Sequence, residues 1–143
     1  MNDQVVARPC WTVLTEKAED KIAVIHNEMS LARKRLESLQ SSEKRVQVMY
    51  DEYRDKTNTE GNQSLGMSEA MNQRQFMSQL LTLMQRVKID IQHTENLMIS
   101  IKERLLEAER ERIKMQTLAD QNASAVQKVL NKREQKKMDD LGV

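Results

Sequence analysis

The sequence predicts an all-α fold: a long antiparallel two-helix coiled-coil hairpin in which the second helix is the longer. Two observations predict it. Apolar residues recur on an alternating four–three rhythm along two extended stretches, and a single segment containing Gly and Asn interrupts them. A mean spacing of 3.5 positions holds an apolar seam on one side of a slightly supercoiled helix. Composition agrees, with aromatics at 3%, charged residues at 31%, three Gly and one Pro, which is the signature of long helices rather than of a globular core.

Helix 1 is expected over about residues 13–56. Pro9 sets its earliest comfortable start, because Pro is tolerated in a first turn and not in an interior, and Thr12 or Thr15 is placed to cap it. Its seam runs through Ala18, Ile22, Ile25, Met29, Ala32, Leu36, Leu39, Val46, Tyr50 and Tyr53, with Glu43 as the one charged intruder. The stretch from Asp55 to Gly66 suits neither helix, so a loop is expected at 57–67. Ser68 then offers an N-cap, with Glu69 against the helix dipole. Helix 2 meets neither Gly nor Pro until Gly142 and should run over about 68–140. Its seam comprises Leu80, Met84, Val87, Ile91, Met98, Ile101, Leu105, Ala108, Met115, Ala119, Val126 and Val129.

These spans make one coiled-coil domain over residues 1–143. At 1.5 Å per residue, helix 1 is roughly 65 Å long and helix 2 roughly 110 Å. Folding back at the loop leaves about the last 30 residues of helix 2 without a partner strand. Their seam is weaker, since Arg112, Asn122 and Arg133 fall on core positions. A weak but persistent seam suggests that something else covers it.

Composition also excludes function classes. The formal net charge is +1 with acids and bases interleaved, unlike a dedicated nucleic-acid binder. The local excess at Lys128, Lys132, Arg133, Lys136 and Lys137 either complements a helix dipole or docks an acidic partner. The lone Cys10 rules out an internal disulfide and fits a reducing compartment. No apolar run approaches the roughly 18–20 residues that cross a bilayer, and no signal peptide is recognisable at the N-terminus, so a cytoplasmic location is expected. His26 and His93 lack the cysteine or carboxylate spacing that would complete a metal site. With no phosphate loop, no nucleophile elbow and no concavity to desolvate a carboxylate pair, neither enzymatic activity nor a cofactor is expected.

The loop-proximal part of each helix carries more hydrophobes than a two-stranded seam can bury. If Met77, Leu80, Met84 and Val87 face helix 1, then Phe76 and Leu83 lie at the seam edge and Leu81 on another flank. Opposite them, Val46, Met49, Tyr50 and Tyr53 widen the apolar arc of helix 1. Of the ten methionines, Met49, Met67, Met71 and Met77 cluster here, where adaptable thioethers suit a binding surface. Such a surplus marks an interaction site, whether for a partner, a third helix or a second copy.

Glu52-Tyr53-Arg54 before the break, Gln75-Phe76 with Leu80 after it, and the tail from Arg133 to Asp139 resemble the bacterial flagellar export protein FliJ family. The resemblance extends over essentially the whole chain in length, layout and motif spacing; Pro9, Cys10 and Trp11 depart from it. It implies a non-enzymatic component of the flagellar type III export apparatus, an antiparallel coiled coil similar to the central stalk of rotary ATPases. The implied partners are the hexameric export ATPase, whose assembly and activity such a stalk promotes, the cytoplasmic domain of the membrane export gate, and substrate chaperones. The implied location is the cytoplasm, peripherally at the inner face of the cell membrane at the flagellar base. The family's gate-contact patch matches Phe76, Leu80, Leu83 and Val87, with Tyr53 and Met49 beside it; Val87 stands where the family can carry a His. Lys128, Lys132, Arg133, Lys136 and Lys137 are the candidates for the ATPase. Two other readings remain: a structural homodimeric coiled-coil scaffold, and the stalk protein of a virulence-type secretion system.

Overall fold

In a computed structural model of the chain, residues 9–60 and 66–142 are described, the side chains of 9, 59 and 60 excepted. Two helices account for almost all of them, α1 over Pro9–Glu60 and α2 over Met67–Asp140. They pack against each other, α2 is the longer, and the described residues contain no strand.

Helix ends differ from the expected ones for local reasons. α1 begins at Pro9 itself rather than near 13, which a fixed φ and a missing N–H permit in a first turn. It also runs past 56 to Glu60, and the Thr57 hydroxyl donates to the Tyr53 carbonyl at 2.7 Å within that extension. Of the expected loop, residues 61–65 lie outside the described residues. Gly66 is non-helical, and its carbonyl accepts from the Ala70 N–H at 3.1 Å, so α2 starts at Met67 and Ser68 sits inside the first turn instead of capping it. Glu69 does lie in that first turn. α2 closes on Gly142 at φ 72°, the left-handed position that glycine adopts without a Cβ penalty.

The described residues form two compact units. One contains Glu28–Ile101, and the other contains the residues through Asn27 together with those from Lys102 on. In the first, Val46 of α1 clusters with Leu80 and Met84 of α2, and Tyr50 and Phe76 pack against that cluster. Tyr53 meets Phe76 while Ala32 shares a groove with Thr94, Leu97 and Ile101, so the helices of this unit run antiparallel. In the second unit, Lys21 and Glu111 form an exposed ion pair at 3.6 Å between the two helices, a contact of small energetic weight.

Every hydrophobic side chain that the structure buries lies on the expected seam, with Ile25 and Ile101 the most enclosed at 2% exposure each. Leu36, Ile91, Met98 and Leu105 are only half-buried, and Val129 is exposed. The seam also contains two buried residues that an apolar count passes over, Thr15 and Thr94. Each hydroxyl donates to the carbonyl four residues earlier, Trp11 and Asp90 respectively, at 2.8 Å. A hydroxyl satisfied within its own helix can enter a seam without the cost of an unmade hydrogen bond.

Among the described residues, the fully exposed end of α2 is shorter than the partnerless stretch expected. Met115, Leu118, Ala119, Asn122 and Val126 remain half-buried, and continuous exposure begins at Gln127. The earlier start of α1 accords with this. Arg112, at a core position, is half-buried and bonds Glu109 at 3.3 Å.

Candidate functional site

Two exposed surfaces are the candidates, and they lie in different units. The first surrounds the aromatic pair of Tyr53 and Phe76, whose ring centroids are 4.5 Å apart at a tilt of 44°. Tyr53 ends the apolar seam of α1, and Phe76 stands one turn before Leu80 on α2, so helical spacing brings both to the same edge. Both are half-buried. Phe76 therefore supports the Val46–Leu80–Met84 cluster from the side while offering its remaining area to solvent.

The six residues expected in this patch divide by exposure. Leu80 at 5% and Val87 at 7% are seam residues, closed off by the helix pairing. They hold the patch up and present no surface. Met49 at 45% and Leu83 at 44% are open to solvent. Phe76 and Tyr53 lie between these extremes. Leu81 is exposed, and Met67 and Met71 are open as well, whereas Met77 is half-buried.

Residues off the heptad add to this unit. Val48 is exposed beside Met49. An apolar groove elsewhere in the unit has Leu31 and Leu97 as exposed walls, with Ala32, Thr94 and Ile101 among its lining. Sequence periodicity misses the groove because its walls lie outside the seam. The signal that points to it is two small residues, Ala32 and Thr94, at seam positions where larger side chains would fill the space.

The second surface is the end of α2. Lys128, Lys132, Arg133, Lys136 and Lys137 are all exposed and helical. They repeat at intervals of four, so neighbouring cations share a ridge of the helix. Gln135 donates to Asp139 at 3.2 Å, and Gln127 to Asn131 at 3.0 Å, which are ordinary supports along an exposed face.

No group of three metal-ligating side chains gathers among the described residues. His26 and His93 are exposed. Among the described residues, no helix is long and apolar enough to cross a membrane.

A family model described as the flagellar FliJ protein matches residues 12–143. The match covers α1 from Thr12 on, all of α2 and both surfaces. It starts after Pro9, Cys10 and Trp11, the residues that depart from the resemblance. No curated protein and no solved structure matches the chain.

Proposed function

From the premise that the chain belongs to the flagellar FliJ family, and so to the flagellar protein export apparatus, we propose that it acts as a non-enzymatic coiled-coil stalk joining the export ATPase to the export gate. The observation that carries this reading is the chemical contrast between its two exposed surfaces. Met49, Leu83 and the outer faces of Tyr53 and Phe76 make an apolar, adaptable patch in one unit, while the end of α2 in the other is helical, solvated and basic. A protein that ties two partners together needs two such surfaces of different chemistry.

In this proposal the apolar patch docks the cytoplasmic domain of the gate. Residues 112–141, with the first turns of α1, enter the hexameric ATPase and promote its assembly and turnover. A ring interior accepts a long charged helix, whereas a stable homodimer would favour apolar residues at Arg112, Asn122 and Arg133. The same apolar patch is a candidate for cycling substrate chaperones, whose helices would lie against it. The location that goes with these partners is the inner face of the cell membrane at the flagellar base. The flagellar description of the matched family favours this system over its virulence-type counterpart.

The test is to add the purified chain to a purified flagellar export ATPase. Co-sedimentation and a raised rate of ATP hydrolysis are the expected results. An ATPase that neither binds the chain nor changes its turnover would remove the stalk reading.

A further inference from the structure

We propose that one flank of α2 in the unit Glu28–Ile101 docks an amphipathic helix of a partner protein, a helix with two aliphatic anchors about four turns apart and a base midway between them. Leu83, Asp90 and Leu97 recur at intervals of seven, the spacing that keeps side chains on one flank of a coiled-coil helix. Leu83 is 44% exposed and Leu97 53%, and Asp90 is half-buried between them. An incoming helix reads such a row with anchors at the same spacing. Asp90 and Leu97 lie outside the patch that the family resemblance implies.

At Leu97 the flank opens into the apolar groove. Leu97 and Leu31 are its exposed walls, and Ala32, Thr94 and Ile101, all buried, are among its lining. Ala32 and Thr94 are small for seam positions, and the groove of about 340 Å³ beside them can take the end of an aliphatic side chain. The Thr94 hydroxyl already donates to the Asp90 carbonyl at 2.8 Å, so it asks nothing polar of that side chain.

Charge selects the occupant. A helix that reaches both Leu83 and Leu97 covers Asp90 on the way. Among the described residues, no cation lies within ion-pair distance of the Asp90 carboxylate. Taking it out of water unpaired is costly, so the occupant must bring a Lys or Arg to that point. Arg35, exposed on the groove's rim, suits an acid on the occupant's other edge. A second copy of the chain does not meet these demands. A two-fold pairing through both leucines would set Leu83 against Leu97 of the other copy, and Asp90 against its own counterpart.

The inference rests on the apolar patch of the stalk reading through Leu83, and no export protein enters its test. Two lactam-bridged helical peptides are made with Leu at both anchor positions and either Lys or Glu midway. Fluorescence anisotropy measures their binding to the full-length chain. The Lys peptide should bind about tenfold more tightly than the Glu peptide. Asp90→Asn should erase that preference and Asp90→Lys reverse it, while Leu97→Ala weakens both peptides; circular dichroism checks that each variant stays helical. Binding of neither peptide, equal affinity of the wild-type chain for both, or a preference that survives Asp90→Lys would overturn the proposal. A chain that discriminates the peptides yet leaves the export ATPase unchanged would sink the stalk reading and leave this one standing.

Discussion

Tyr53 and Phe76, one on each helix, hold their ring centroids 4.5 Å apart at a 44° tilt. This distance is at the near end of the range for favourable aromatic pairs, which add about 0.5–1.5 kcal/mol beyond the area they bury. The contact joins the two helices beside the apolar patch. Phe76 is also a structural residue, because the same ring packs on the Val46–Leu80–Met84 cluster.

Phe76→Ala should therefore destabilise the chain. Full core truncations of Phe cost about 3–5 kcal/mol, and a half-buried ring should cost roughly half of that. Urea titration followed by circular dichroism measures the difference. An unchanged midpoint would mean that Phe76 belongs to the surface alone.

Docking is better isolated with Met49→Ala and Leu83→Ala, both at exposed positions. Stability should change by no more than about 0.5 kcal/mol for each, while binding to the gate's cytoplasmic domain falls. Calorimetric titration of that domain reads the affinity. Wild-type affinity in the double variant would move the docking surface elsewhere.

The seam itself is graded. Ile101→Ala should cost roughly 2–5 kcal/mol, as a fully enclosed side chain does, and Leu36→Ala distinctly less because Leu36 is half-buried. Thermal melts of the two variants set the order. Equal losses would contradict the burial pattern.

Antiparallel pairing in the unit Glu28–Ile101 is open to direct measurement. With Cys10 replaced by Ser, spin labels at exposed Lys44 and Gln85 should report one interhelical spacing, about 10 Å plus the label arms. An intramolecular separation above about 40 Å, several such spacings, would rule out the fold-back.

Periodicity alone located the seam, because burying a strip between two helices requires the very spacing that an apolar count detects. Thr15 and Thr94 escaped it, since their hydroxyls are satisfied inside their own helix and leave no apolar trace. Helix ends were less legible: the continuation past Lys56, where the Thr57 hydroxyl turns back to Tyr53, and the start at Met67 rather than Ser68 are local events. In the candidate patch, counting hydrophobes named a set of residues but could not divide them by exposure. Leu80 and Val87 have the same residue types as Leu83, and only the helix pairing determines which of them reach solvent.

The central claim is that the end of α2 acts on the export ATPase and the apolar patch on the gate. It is tested most directly by measuring ATP hydrolysis by the flagellar export ATPase with the full chain and with a chain lacking residues 120–143. The account predicts that the truncated chain stays helical and still binds the gate domain, yet no longer raises turnover. Full stimulation by the truncated chain, or loss of gate binding in its place, would contradict the assignment of the two surfaces.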